Sequence, residues 1–382
     1  MTFQIKGAFC MRIKTSQAKT GQMLVQDVFS MTNQPIVNKN TRLNNEHLRV
    51  LTRFQINEID VLNESASGVN TTRQVKDSLN NRSDARISEE QIHTQTPEKE
   101  ELSFPALYMQ TVKRYKQLFT NWQSGSPVDM LEVRQSVLPV LEKGSSVPKE
   151  ILLLHHYATS ADYMYHHSIA VGILSTFLAK KLNFSSGDCI QIGLAGVLSD
   201  CGMAKVQPTL LKKSGSLTTA EFDEVKKHTI QGYNMLKKIP SIKEGVLLGV
   251  LQHHERTDGS GYPLIVKGNK LHPFSKVLAV ADVYLAMTAE RPYRSKQSPF
   301  KVLEMMMKDQ FGKFDHQVMQ AMLGGLSTLS VGSRVRLSNY DIGEIVFIEE
   351  SQPTRPMIKL EKNGDIIALK NRNDIFIEEL LS

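Results

Sequence analysis

The chain has 382 residues, of which 41% are hydrophobic and 22% are charged, and its formal net charge is +7. This length predicts two or three domains with packed cores. No uninterrupted apolar run approaches the roughly 20 residues that cross a bilayer, which excludes an ordinary membrane-spanning protein. The positive charge favours anionic partners such as a phosphate-bearing nucleotide.

Residues 1–62 predict a small α+β module. Short apolar runs at 22–25, 36–37 and 59–61 are typical of strands, and residues 45–54 have helix-like spacing. The start lacks the apolar segment and cleavage site of a signal peptide, so we expect a cytoplasmic protein. Residues before Met11 look unlike the rest, so either Met1 or Met11 is expected as the true start.

Three further segments follow in chain order. Residues 63–102 are rich in polar residues and lack aromatic ones, which predicts a flexible linker. Residues 103–328 have apolar residues at helical spacing throughout, which predicts an all-helical domain. Residues 329–382 contain short strand-like runs, and Asn363-Gly364 is typical of a hairpin turn. We therefore expect a mainly α protein with a small C-terminal β domain.

The cysteines and the basic residues exclude other classes of site. Cys10, Cys189 and Cys201 form no CxxC pair, which argues against a disulfide framework and favours plain buried thiols. The sequence has no long Lys/Arg block, zinc-finger spacing or aromatic RNA-binding signature, so nucleic acid is not the expected partner.

The run from His253 to Pro263 is the most informative stretch. Adjacent histidines point about 100° apart on a helix and can flank one metal-sized cavity. The acidic, glycine-rich turn that follows lets the backbone approach a ligand closely. It ends in Gly261-Tyr262-Pro263.

Other histidines and carboxylates lie in apolar surroundings. His167 shares a helical stripe with Val171 and Leu174, which points it into the core. Asp200 follows an apolar run and Asp282 lies inside another, where a carboxylate is rarely buried unless it is paired or bound to a metal. His228 follows two lysines, and its local sequence alone would indicate a surface residue.

Residues 163–315 resemble the HD-GYP proteins, a bacterial branch of the HD superfamily of metal-dependent phosphohydrolases. The matching elements occur in the family's order: Tyr163, His167-Ser168, Ser199-Asp200, His228, His253-His254, Gly261-Tyr262-Pro263, Asp282 and Arg291-Pro292-Tyr293-Arg294. Where the family has its name-giving His-Asp pair, this chain has Ser199-Asp200. The resemblance implies a many-helix HD-superfamily domain.

The resemblance also implies two metal sites. His167, Asp200 and Asp282 would hold one metal, and the remaining histidines, His228, His253 and His254, would hold a second that Asp200 bridges. Nitrogen and oxygen ligands without thiolates suit Fe, Mn or Zn, with Fe or Mn favoured for a carboxylate-bridged pair. Such a pair can activate water and clamp phosphoryl oxygens.

The implied substrate is cyclic di-GMP, hydrolysed to pGpG or GMP. Gly261, Tyr262 and Pro263 would line the nucleotide cleft, and Arg291 and Arg294 are candidate phosphate ligands, since a guanidinium binds phosphate oxygens in a bidentate manner.

Two positions depart from the family pattern. Ser199 replaces a histidine ligand, so we expect one tight metal site and one weakened site. Met203 stands where many members have a lysine that contacts substrate phosphate. Lys205 is a candidate catalytic replacement beside Asp200, although a shift of two residues along a helix turns the side chain to another face.

Three functions stay open on the sequence alone: an impaired cyclic di-GMP phosphodiesterase, a non-catalytic cyclic di-GMP receptor, and a protein-interaction module. Ser199 and Met203 favour the receptor, whereas His228, the His253-His254 pair and Asp282 favour retained metal chemistry. Protein partners that bind the flanking domains, and a homodimer, also stay open.

Overall fold

The computed structural model describes residues 4–5, 8–29, 35–45, 47–48, 51, 56–63, 102–159, 162–211, 213, 215–289, 297–309, 312–326 and 329–381. Nearly all of the predicted linker, and the predicted phosphate ligands Arg291 and Arg294, lie outside these residues. The chain divides into two compact units, Met1–Ala106 and Leu107–Ser382.

The first unit is built on antiparallel strands. They are β1 (Gln4–Ile5), β2 (Ala8–Lys14), β3 (Met23–Leu24), β4 (Val28–Phe29), β5 (Pro35–Val37) and β6 (Glu58–Asn63). One sheet has the order β1-β2-β6-β3, and β4 pairs with β5. Ile59 and Val61 on β6 are buried with Leu24, as the two-residue repeat of a strand with one buried face requires.

The second unit is mainly helical, as the apolar spacing predicts. Its helices are α1 (Phe104–Gln123), α2 (Met130–Gly144), α3 (Pro148–Leu153), α4 (Tyr163–Lys181), α5 (Ser186–Leu198), α6 (Pro208–Leu211), α7 (Thr219–Lys226), α8 (His228–Leu236), α9 (Glu244–Gln252), α10 (Pro273–Thr288), α11 (Pro299–Asp309) and α12 (His316–Leu326). Helix α4 is buried on every side from His166 to Ala179, so it forms the centre of this unit. Within the described residues, none of the helices is both long enough and apolar enough to cross a bilayer.

A C-terminal sheet completes the second unit. Its strands are β7 (Arg334–Leu337), β8 (Ile342–Phe347), β9 (Met357–Leu360), β10 (Ile366–Ala368) and β11 (Ile377–Leu381), in the order β10-β9-β8-β7-β11. Strands β9 and β10 pair antiparallel on either side of Asn363-Gly364, which confirms the hairpin prediction. Gly364 has a φ of +77°, as this turn requires.

The C-terminal sheet is joined to helix α11 by polar contacts. The Ser298 hydroxyl donates to the Ile377 carbonyl at 2.6 Å. The Arg355 guanidinium donates to the carbonyls of Ile375 and Arg372 and pairs with Glu304 on α11. Burial raises the pKa of the Glu304 carboxyl, and the nearby Arg355 opposes that rise. These contacts explain why the sheet and the helices form one compact unit.

Candidate metal centre

Four side chains from separate parts of the second unit converge on one point. Asp200 follows α5, His228 begins α8, and His253 and His254 follow α9. Each offers a ligand atom, and these atoms all lie within 4.8 Å of one another. The sequence therefore predicted a group of residues that the fold brings together.

A close backbone contact places Asp200 beside His228. Gly202 lies in the 3-10 turn Cys201–Lys205 that follows Asp200. A Cβ atom on Gly202 would lie 1.9 Å from the His228 carbonyl oxygen and 2.4 Å from the Gly232 nitrogen. Only a glycine lets this turn pack directly on the backbone of α8. His228 is fully buried as a result, although its polar sequence context would indicate a surface residue.

Nearby backbone carbonyls determine the tautomers of His228 and His253. His228 Nδ1 lies 2.7 Å from the Val225 carbonyl oxygen, and His253 Nδ1 lies 2.8 Å from the Val250 carbonyl oxygen. A carbonyl oxygen can only accept, so each Nδ1 carries the proton and each Nε2 presents a lone pair. The two Nε2 atoms face each other at 3.4 Å. A cation placed between the two acceptors would satisfy both lone pairs.

Asp200 lies between two groups of histidines. Its Oδ1 is 3.3 Å from His228 Nε2 and 3.8 Å from His253 Nε2. Its Oδ2 is 4.0 Å from His167 Nε2. One carboxylate oxygen thus faces each group, which is the arrangement that a bridging ligand needs.

The second group contains His167 and Asp282. His167 Nε2 is 2.9 Å from Asp282 Oδ1, and its Nδ1 lies 3.2 Å from the Tyr163 hydroxyl. His254 Nδ1 is 3.5 Å from Asp282 Oδ2. The carboxylates of Asp200 and Asp282 and the imidazole of His167 are all buried. All six metal ligands predicted from the sequence therefore lie in one connected cluster.

Burial and neighbouring charges set the ionisation of this cluster. Burial lowers the pKa of His253, and the nearby His228 lowers it further. Burial and His253 likewise lower the pKa of His254. Burial opposes ionisation of Asp282, but the His167 hydrogen bond and the nearby His254 hold its pKa below the ordinary value. Neutral imidazoles and ionised carboxylates are the forms that bind divalent metals.

The loop that follows the histidine pair is held by Glu255. The Glu255 side chain is buried and accepts hydrogen bonds from the backbone N–H groups of Leu264, Ile265 and Val266. A Cβ on Gly261 would lie 2.4 Å from the Glu255 Cα, so the loop folds back directly against this residue. The Tyr262 ring lies 4.8 Å from the His254 ring as a consequence.

Comparison with known proteins agrees with this geometry. A family model described as "HD domain" matches residues 144–318. The chain is 31% identical over 64% of its length to "Cyclic di-GMP phosphodiesterase PA4108" of Pseudomonas aeruginosa, covering 58% of that protein.

Residues 144–318 thus match an HD domain.

Two further relatives are named as cyclic dinucleotide phosphodiesterases. The chain is 25% identical over 56% of its length to "Cyclic di-GMP phosphodiesterase PdeB" of Borreliella burgdorferi, covering 57% of that protein. It is 27% identical over 57% of its length to "3'3'-cGAMP-specific phosphodiesterase 3" of Vibrio cholerae, covering 49% of that protein. The chain thus spans about half the length of the curated relatives that it matches.

Ser199 and Met203, the two positions that depart from the predicted pattern, lie close to Asp200, and the Met203 N–H donates to the Asp200 carbonyl at 2.9 Å. Ser199 is buried, and its hydroxyl donates to the Gly196 carbonyl one turn earlier in α5 at 2.8 Å. Cys201 is fully buried, and burial raises the pKa of its thiol, as expected for a structural cysteine.

The structure does not bring Lys205 to the cluster. The Lys205 amine donates to the Trp122 carbonyl at 2.8 Å, at the end of α1. The 3-10 turn that places Asp200 beside His228 directs Lys205 toward this helix end, so the predicted catalytic role has no support from its position.

Sequence reasoning also missed Glu255. Its position directly after the two histidines and before a turn that needs a hydrogen-bond acceptor is the signal that would have indicated its role.

Proposed function

We propose that this chain is a metal-dependent phosphodiesterase of the HD-GYP type that hydrolyses cyclic dinucleotides, with cyclic di-GMP as the first candidate. One observation carries the proposal: the lone pairs of His228 Nε2 and His253 Nε2 and the Asp200 carboxylate converge at one buried point. The relatives are named as cyclic dinucleotide phosphodiesterases, which supplies the substrate class.

The residues have separate roles in this mechanism. His228, His253 and His254 would hold one divalent metal, His167 and Asp282 would hold another, and Asp200 would serve both. A metal bound there would polarise the phosphodiester and acidify a water molecule. Tyr163 fixes the orientation of the His167 ring through Nδ1. These residues hold the reacting groups in position, so the protein itself needs no nucleophile.

Access to the cluster is uneven. His228 and His253 are almost completely buried, whereas 18% of the His254 side chain is exposed. Substrate would therefore approach from the side where Tyr262 lies against His254. Gly261, Tyr262 and Pro263 keep their proposed role as the lining of the cleft. Burial raises the pKa of the Tyr262 hydroxyl, so it stays a neutral hydrogen-bonding group there.

The metal identity and occupancy are finer parts of the same proposal. The nitrogen and oxygen ligands suit Fe or Mn. Because Ser199 bonds back to its own helix, His167 and the two aspartates are left to hold their metal with one protein ligand fewer than the family pattern supplies. We propose one tight site and one weakened site, with impaired hydrolysis to pGpG or GMP. Arg291 and Arg294 remain proposed phosphate ligands, and cytoplasmic localisation and a homodimer remain predictions.

The Ser199 geometry also favours a second candidate function, a receptor that binds the nucleotide without cleaving it. The deciding experiment is hydrolysis of cyclic di-GMP by metal-loaded, anaerobically purified protein, beside the Ser199→His and His253→Ala variants. Turnover that is lost in His253→Ala establishes the phosphodiesterase. Turnover only in Ser199→His identifies a disarmed enzyme and favours the receptor. No turnover in either protein contradicts the proposed activity.

A further inference from the structure

A row of aromatic rings leads from the metal cluster to the surface. The Tyr262 ring lies 4.8 Å from His254, and the Phe222 ring on α7 lies 6.5 Å from Tyr262 in an edge-to-face arrangement. Phe222 is 45% exposed. Two ring-to-ring steps therefore connect a metal ligand to an aromatic side chain that is open to solvent.

Hydrogen bonds fix the backbone that carries both rings. Thr218 and Glu221 form a capping box at the start of α7, which fixes the helix that carries Phe222. The backbone of Tyr262 is fixed as well, because its N–H donates to the His254 carbonyl and Glu255 accepts from the next residues of the loop. An exposed ring on a capped helix is a preorganised contact.

A positive charge accompanies the rings. The Lys226 ammonium lies 4.7 Å from the centre of the Phe222 ring and 5.8 Å from the centre of the Tyr262 ring. Aromatic faces combined with a nearby cation are the features that bind the bases and phosphates of single-stranded nucleotides.

We propose that Phe222 stacks against one purine base of the cyclic dinucleotide while the phosphodiester occupies the metal cluster. This inference rests on the proposed function and assigns a substrate contact outside the cluster. Lys226, whose ammonium also pairs with Asp223 at 2.8 Å, lies beside the proposed base site. Stacking uses the face that every base has, so Phe222 contributes affinity without distinguishing guanine from adenine.

The test compares KM and kcat for cyclic di-GMP and 3'3'-cGAMP in three variants. Phe222→Ala is expected to raise KM for both substrates by the same factor, roughly 5- to 100-fold, with little change in kcat. Phe222→Trp keeps a stacking surface and is expected to restore KM. Phe347→Ala, which removes a phenylalanine of similar exposure from the C-terminal sheet, is the matched control.

Calorimetric binding of cyclic di-GMP to the chelated protein, set beside hydrolysis by the metal-loaded protein, separates the two proposals. A wild-type protein that binds but does not cleave contradicts the proposed hydrolysis, and the weaker binding of Phe222→Ala then still supports the base contact. An unchanged KM and affinity in Phe222→Ala overturn the base contact alone. A wild-type protein that neither binds nor cleaves overturns both.

Discussion

Asp200 and Glu255 are both buried carboxylates close to the His253-His254 pair, but their surroundings differ. Glu255 accepts three backbone N–H groups from the loop 264–266, so the folded chain itself satisfies its charge. Asp200 instead faces the lone pairs of His228 and His253. Glu255 therefore serves the fold of the loop, whereas Asp200 is placed for a cation that the chain does not supply.

The largest expected effect is the loss of metal binding when Asp200 is changed. Asp200→Asn removes the shared ligand, so we expect metal affinity to fall roughly 100-fold or more and hydrolysis with it. Without metal, the free energy of unfolding should change little, because a buried charge that faces other acceptors is removed. Metal content and denaturant unfolding after chelation measure the two effects. A large loss of stability in the chelated variant would show that Asp200 also supports the fold, as Glu255 does.

A partly buried carboxylate, Glu304, extends the comparison to an ion pair. Arg355→Met leaves Glu304 without its cation, and we expect the free energy of unfolding to fall by about 3 kcal/mol. Burial already raises the Glu304 pKa, and loss of Arg355 raises it further. The unfolded chain then ionises first as pH rises, so the loss should be larger at pH 8 than at pH 5.

The double variant Arg355→Met with Glu304→Gln is the control, because it also removes the Glu304 carboxylate that has lost its cation. It should recover part of the stability and lose most of the pH dependence, as measured by urea unfolding at both pH values. A loss that is equal at pH 5 and pH 8 in Arg355→Met would show that the missing carbonyl contacts dominate.

The smallest expected effect is the loss of stability when Glu255 is changed. Glu255→Gln keeps the shape but replaces one acceptor oxygen by a donor that faces the loop N–H groups. We expect a loss of about 2 kcal/mol in the free energy of unfolding, with metal content retained. Urea unfolding and metal analysis of one preparation check both parts. A variant that loses its metal but keeps its stability would show that Glu255 supports metal binding instead.

Much of the architecture could be predicted from local pattern. Helical apolar spacing indicated the helices, and Asn363-Gly364 indicated the hairpin between β9 and β10. Apolar surroundings indicated that His167, Asp200 and Asp282 are buried, since such groups are costly to bury alone. His228 and the full set of six ligands came from the resemblance to the HD-GYP proteins, and the structure brings all six together.

The remainder depended on contacts between residues distant in sequence. Lys205 reaches Trp122, 83 positions away, and no local pattern indicates that contact. Arg355 binds Glu304 on another element in the same way. Glu255 was overlooked for a different reason, because its partners are backbone N–H groups, which carry no residue identity.

The support for His228 and His253 has a consequence for protein engineering. Each ring is oriented by the carbonyl of the residue three positions earlier in its own chain segment, Val225 or Val250. Ligand and support thus form a four-residue cassette that does not depend on a distant partner. We expect such a segment to keep its histidine tautomer when it is moved to another helix end, and substitutions elsewhere in the domain should leave the tautomers of these two histidines unchanged.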